Sequence, residues 1–329
     1  MTMTAGPEEI SIAVARLRAG GVVAFPTETV YGLGADALRV EAIARVFALK
    51  GRPSTNPLIV HVCDEEMART HAASWPERAR RLAARFWPGP LTIIVDRGRL
   101  IPPVVTAGGA TVGMRCPAHP LALALIETFG GPLVGPSANR SGGLSPTSAA
   151  HVAAAFSADD VYVLDGGVCQ AGIESTVVWV AAGPVRVLRP GVIGAEAIEL
   201  ELGEPVETVT ASAEDREVVL SPGMHERHYA PATPCMLADA ADMASVGDMD
   251  VVVGFVSPKR TCRFFVAMPN AARAYAARLY AALHEADAAG GARIVIERPP
   301  AVGATAEETA IWRAVGDRLR RACAAEGRA

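Results

Sequence analysis

The sequence predicts an α/β protein in two parts, a larger N-terminal one and a smaller C-terminal one. Three observations predict it. Up to about residue 200, short apolar runs of strand character alternate with stretches of helical spacing. From 204 to 233 that pattern fades into chain bounded by prolines, Ser221-Pro222-Gly223-Met224 through His228-Tyr229-Ala230-Pro231. From Cys235 onward the alternation resumes. A chain of 329 residues is long enough for two cores. We expect domains at 1–203 and 234–329, with 204–233 as the linker.

The elements follow in order. Glu8 to Ala19 has helical spacing, and Val22 to Phe25 is a short apolar strand. Pro26-Thr27-Glu28-Thr29-Val30-Tyr31-Gly32-Leu33-Gly34 reads as a polar, glycine-containing turn. Such turns after a strand let backbone approach a ligand without Cβ interference. Val40 to Leu49 is helical; Pro57 to Val62, Leu91 to Val95 and Thr111 to Met114 are strand-like. Ala118 to Phe129 reads as a buried helix and Pro132 to Gly135 as a short strand. Ser145-Pro146-Thr147 reads as a helix start. Val161 to Leu164, Ser175 to Val180 and Pro184 to Leu188 complete the strands of the first part. In the second part, Asp250 to Val256, Arg263 to Ala267 and Arg293 to Glu297 are strands. Ala271 to Ala289 and Ala306 to Cys323 are helices.

Composition excludes several classes. Half of the residues are hydrophobic, which supports a sizeable core and argues against wholesale disorder. No apolar run approaches the roughly 20 residues that cross a bilayer, and the N-terminus lacks a secretory pattern. We therefore expect a cytoplasmic protein with no membrane partner. The six cysteines are scattered, which favours free thiols over disulfides or structural zinc. The histidines form no HExxH, so no protein-ligated metal site is expected. A net charge of −4 does not suggest a strongly basic nucleic-acid binder. Of 31 basic residues only Lys50 and Lys259 are lysine, so the ammonium at position 50, beside Arg52, is a candidate for a specific anion-binding task. The competing reading of Lys50-Gly51-Arg52 is a solvated helix C-terminus. No GxxxxGK[ST] and no complete GxGxxG is present.

Six strings occur in order: PTETVYGLG at 26–34, KGRP at 50–53, FWPGPLT at 86–92, VGMRCP at 112–117, GPSAN at 135–139 and ESTV at 174–177. With SPGM…RHYAP after them, they make the chain resemble the Sua5/YrdC family of L-threonylcarbamoyladenylate synthases over nearly its whole length. The resemblance implies a YrdC-like twisted mixed sheet with flanking helices, plus a smaller Rossmann-like C-terminal α/β domain of Sua5 type. It also implies a reaction: L-threonine, bicarbonate or CO2, and ATP give threonylcarbamoyladenylate and pyrophosphate, for t6A in tRNA. Mg²⁺ would accompany ATP. Tranfer of the product to tRNA-modification proteins, and contact with tRNA itself, are implied possibilities.

Residue roles follow from the same resemblance. Lys50 and Arg52 would bind the triphosphate at an open cleft, with Ser137 and Asn139 as polar partners to phosphate or metal-bound triphosphate. Asn56, Thr111, Ser145, Thr147 and Arg189 fall on the nucleotide side. Arg115 would fork the threonine carboxylate, since a guanidinium engages both oxygens; a surface salt bridge is its alternative. Thr29, Tyr31, His61, Ser137 and Ser175 would line the amino-acid pocket, although a lone histidine on a strand is commonly structural. Tyr229 would touch the nucleotide as the linker folds over the cleft, against the alternative of a passive tether. Positions 225 and 226 are His and Glu, where relatives often carry a basic and an aromatic residue.

Two other functions compete. A carbamoyl-adenylate-dependent O-carbamoyltransferase would typically carry a further large domain or zinc-finger-like cysteine pairs, which this chain lacks. An RNA-binding module would want a positive balance, whereas residues 1–205 hold 17 basic against 19 acidic side chains.

Overall fold

The computed structural model describes residues 6–209 and 229–324. The first part is built on a ten-stranded mixed sheet. Its strands are Val22–Phe25 (β1), Gly32–Asp36 (β2), Ile59–His61 (β3), Leu91–Asp96 (β4), Thr111–Arg115 (β5), Leu133–Val134 (β6), Val161–Val163 (β7), Thr176–Trp179 (β8), Val185–Arg189 (β9) and Val206–Thr208 (β10). They lie in the order β10-β9-β8-β4-β5-β3-β6-β2-β1-β7. The flanking helices are Pro7–Arg18 (α1), Val40–Lys50 (α2), Glu65–His71 (α3), Glu77–Phe86 (α4), Pro120–Phe129 (α5), Ala149–Ala155 (α6) and Ala195–Leu202 (α7).

Side-chain alternation explains why helices cover both faces. From β1, Val22 and Ala24 enter the main core with Leu33, Ile43 and Val46. Val23 and Phe25 enter a second core with Leu17 of α1 and Leu125 of α5. Helix α1 opens on Pro7, has Glu8 and Glu9 in its first turn and Arg16 and Arg18 in its last, all in dipole-favoured places.

The second part has a four-stranded, all-parallel sheet. Its elements are Cys235–Ala238 (β11), Ala240–Met243 (α8), Asp250–Gly254 (β12), Phe264–Ala267 (β13), Ala272–Ala288 (α9), Arg293–Glu297 (β14) and Ala306–Ala322 (α10). The two parts share a core: Val30, Leu144 and Ile173 of the first pack with Tyr275, Leu279 and Tyr280 of α9. At Gly172 (φ 71°) a Cβ would lie 2.3 Å from the Ala276 carbonyl, so only glycine lets the α9 backbone come this close.

Three expectations need correction. Gly32-Leu33-Gly34 is strand β2, paired antiparallel to β1, and the turn is confined to the residues before it. Both glycines are there because the Phe25 ring lies on them; a Cβ would approach it to 2.8 Å at Gly32 and 2.9 Å at Gly34. Helix α6 starts at Ala149, capped by Ser148, because the hydroxyls of Ser145 and Thr147 are engaged elsewhere. Residues 206–208 form edge strand β10 against β9, so the sheet continues beyond residue 203. Most of the expected linker, including Ser221 to His228 with positions 225 and 226, lies outside the described residues.

Candidate active site

Helix α2 delivers Lys50 to the site and ends there. Gly51 takes the left-handed conformation (φ 61°) that turns the chain. Lys50 is not solvated: it is 2% exposed. Its Nζ donates to the carbonyls of Ser137 (2.5 Å) and Asn139 (2.7 Å) and lies 3.5 Å from Asn139 Oδ1. Burial and the Arg52 charge pull its pKa well below that of an ordinary lysine. The Asn139 amide donates to the carbonyls of Arg140 and Gly143, both at 2.8 Å, which fixes the loop around the ammonium. The structure thus brings Lys50, Ser137 and Asn139 together.

Arg52 reaches the Pro57 carbonyl (3.0 Å). Burial lowers its pKa to about 10; Tyr229 nearby opposes that and Arg189 adds to it. Pro57 in turn lines a small hollow with Thr92, Thr106, Thr111, Gly113 and Val177, which places Thr111 on the same sheet face. Thr92 and Ser175 share a hydroxyl hydrogen bond of 2.8 Å. Arg189, at the end of β9, donates to the Ser175 carbonyl through Nε (3.1 Å) and Nη2 (3.0 Å), and to Ser175 Oγ through Nη2 (3.1 Å). Burial lowers its pKa, and Tyr229 stands beside it. Tyr229 is 1% exposed with a left-handed backbone (φ 63°), and the next residue is anchored by Ala230 N–H to the Gly142 carbonyl at 2.9 Å. Asn56 is buried, and its N–H donates to the Pro53 carbonyl at 3.1 Å. Lys50 and Arg52, expected at an open cleft, are instead buried, with the 137–139 loop around Lys50 and Tyr229 beside Arg52 and Arg189.

A second group lies across the sheet. Parallel register sets His61 of β3 directly beside Arg115 of β5. Arg115 is buried and forms an ion pair of 2.7 Å with Glu28, so its salt bridge is an interior one. Glu28 also accepts from the Ala118 N–H (3.0 Å). Neither Arg115 Nη2 nor Glu28 Oε1 has an aligned hydrogen bond among the described residues, which leaves both able to take a further polar partner. His61 is pushed down to about 3 by burial and by the Arg115 charge, so it is neutral near pH 7 and a poor base. Gly135 makes room for its ring: a Cβ there would sit 2.6 Å from His61 Nδ1. Thr29 is buried and hydrogen-bonded to Thr27 Oγ1 (2.8 Å).

Two groups of candidates are placed differently. The Tyr31 hydroxyl is committed to the 165–167 turn, donating to the Gly167 carbonyl (2.8 Å) and accepting from Gly166 N–H (3.1 Å). Ser145 donates to Glu174 (2.6 Å) and Thr147 meets His151, both at the contact with the C-terminal domain. Glu28, Thr92 and Glu174 were not singled out from the sequence, although each lies inside a quoted string. Among the described residues, no three His, Cys, Asp or Glu side chains converge to hold a metal, and no helix is long and apolar enough to cross a membrane.

Comparison with known proteins accounts for both parts. Residues 15–191 match the Sua5_yciO_yrdC family model, described as telomere recombination, and residues 193–324 match Sua5_C, described as the threonylcarbamoyl-AMP synthase C-terminal domain. The chain is 45% identical over 231 residues to the threonylcarbamoyl-AMP synthase of Pyrococcus abyssi, covering 70% of this chain and 68% of the relative. It is 45% identical over 234 residues to that of Bacillus subtilis, covering 71% and 67%. The crystal structure of P. abyssi Sua5 complexed with L-threonine superposes with a TM-score of 0.87 at 38% identity, covering 95% of this chain and 94% of that one. Sequence, two-domain architecture and fold agree: the chain belongs to the Sua5/YrdC family, in its two-domain Sua5 form.

Proposed function

We propose that this protein is a threonylcarbamoyl-AMP synthase, a nucleotidyltransferase that joins L-threonine, CO2 or bicarbonate, and MgATP, releasing pyrophosphate. The observation that carries the reading is the buried chain of contacts that joins Lys50 with Ser137 and Asn139, and Arg52 with Arg189 and Ser175. Its support from relatives is the 45% identity to two synthases and the 38% identity to a Sua5 solved with L-threonine.

Each charge has work to do in that reaction. Threonine must present a neutral amine for carbamate formation, and the carbamate oxygen must be aimed at the α-phosphorus. Negative charge then builds on the departing pyrophosphate, where prearranged cations lower the barrier. Lys50 would supply a cationic amine to the phosphates and holds the 137–139 loop, which carries Ser137. Arg52, near Lys50, and Arg189, near Arg52, add further charge. Ser137 Oγ and Asn139 Oδ1 would offer oxygen ligands to the Mg²⁺ of an ATP complex, which would supply charge neutralisation on the triphosphate. Arg115 takes the threonine carboxylate, with Glu28 holding the guanidinium in place. Tyr229 covers the nucleotide wall and limits the water that would hydrolyse the mixed anhydride. The product's activated carbamoyl group suits transfer to adenosine in tRNA by partner proteins.

Pyrophosphate release from ATP, measured with L-threonine, L-serine or no amino acid and with or without bicarbonate, tests the proposal. Strict dependence on threonine and bicarbonate is expected. Equal release without an amino acid would refute it.

A further inference from the structure

Arg318 heads the fully buried side chains by size, at 1% exposure. It belongs to α10, the last helix of the C-terminal domain, yet its guanidinium lies against the N-terminal domain's site. Nε donates to Glu174 Oε2 at 2.7 Å and Nη2 to the Pro190 carbonyl at 3.0 Å. Nη1 donates to Asp317 at 2.9 Å, and the guanidinium carbon lies 5.4 Å from the centroid of the Tyr229 ring. Glu174 is satisfied on its other side by Ser145 Oγ at 2.6 Å and by the Tyr280 hydroxyl at 3.1 Å from each oxygen. Burial raises the Glu174 pKa, but Arg318, Arg189 and these hydrogen bonds bring it below the ordinary carboxylate range, so the pair is ionic.

The partners of this one guanidinium are neighbours of the site. Glu174 precedes Ser175, Pro190 follows Arg189, and Tyr229 is the residue beside Arg189 and Arg52. Arg189 holds Ser175 by three hydrogen bonds, so the chain on both sides of that contact is fixed from the other domain. Stability alone gives little reason for such an arrangement, because a buried ion pair is commonly no more stabilising than apolar side chains of equal volume. Its distinct property is geometric: a planar fork meets several acceptors in fixed directions.

We propose that Arg318 is a positioning residue for the ATP and threonine site, through which the docked C-terminal domain sets the Ser175–Arg189–Tyr229 wall. The inference rests on the synthase reading above. Its test uses the full chain carrying Arg318→Lys, Arg318→Met or the double change Glu174→Gln/Arg318→Met. Folding is followed by thermal melting, KM and kcat by pyrophosphate release, and binding of ATP and of L-threonine by calorimetry. Arg318→Lys is expected to fold and to raise KM for both substrates by about tenfold, with matching losses in calorimetric affinity. The double variant, which buries no unpaired carboxylate, is expected to fold better than Arg318→Met while keeping the raised KM values.

A purely structural role would lower kcat through a smaller folded fraction and leave KM unchanged. Folded variants with wild-type KM and affinity for both substrates overturn the proposal, as does loss of fold in all three. A wild-type protein that binds neither substrate overturns the synthase reading and this inference together. Wild-type turnover with unmoved variants overturns this inference alone.

Discussion

Around Lys50 the site is held by its own domain. The ammonium is pinned by the carbonyls of Ser137 and Asn139, and their loop is pinned by the Asn139 amide. Around Ser175 the support crosses from one domain to the other: Arg189 holds the serine, while Arg318 and Tyr280 hold the glutamate beside it. The first corner is complete once the large sheet has formed. The second is complete only once α9 and α10 have docked. A cation cage built from nearby backbone survives domain motion, whereas a wall built across an interface reports on it.

The comparison breaks most directly at Lys50. Lys50→Ala should lower kcat/KM for pyrophosphate release by about 10²–10³-fold. The orphaned carbonyls should also cost roughly 1–3 kcal/mol in stability, measured by urea denaturation. Near-normal turnover would remove Lys50 from the charge-neutralising role.

Arg115→Met should cost about 3 kcal/mol, because it leaves the Glu28 carboxylate without its cation in a nearly closed site. Adding Glu28→Gln should recover part of that stability but not threonine binding. Recovery of both in calorimetry would mean that Arg115 serves only the ion pair.

A smaller effect sharpens the second corner. Thr92→Val removes the hydroxyl partner of Ser175, a loss of about 1 kcal/mol, or roughly fivefold in threonine affinity. An unchanged affinity would show that Arg189 alone orients the serine.

A pH effect at the interface itself is read on stability alone. The His151 and His284 rings stack at 3.9 Å across the domains. Burial and then the His284 charge push His151 down to about 4, against roughly 6.5 in unfolded chain. The unfolded state therefore binds more protons between these values. The stabilisation is complete above about pH 6.5 and is lost as pH falls toward about 4. Melting temperature should drop on acidification, and His151→Phe should remove part of the slope. An identical slope in that variant would exclude the stack as its source.

Much of the architecture was readable from spacing. The apolar run of β1, the long helices α9 and α10, and the alternation of strands and helices in the second part all carry clear periods. Helix α4 escaped because Glu77–Phe86 buries only a narrow stripe, Ala79, Leu82 and Ala83, under four arginines. Strand β10 escaped because Val206-Glu207-Thr208 is an exposed edge with little apolar content. Strand β2 was obscured by its glycines, whose purpose is the Phe25 ring across the pair. At the candidate site, the motif strings pointed to segments that the fold brings together but not to which side chain contacts which. Tyr31 turns toward the 165–167 turn, and Glu28 and Glu174, unmarked within their motifs, hold the key cations.

By itself the sequence determined the two-part α/β plan, the motif segments that the fold gathers and the charged side chains they carry. Those properties are local: they depend on period, on turn residues and on which side chains carry charge. Only the tertiary structure decided that Lys50 and Arg52 are buried, that Arg115 is countered by Glu28, and that Arg318 reaches Glu174 from the last helix. Such contacts join residues far apart in the chain, and burial then multiplies their electrostatic weight, which no reading of neighbouring residues contains.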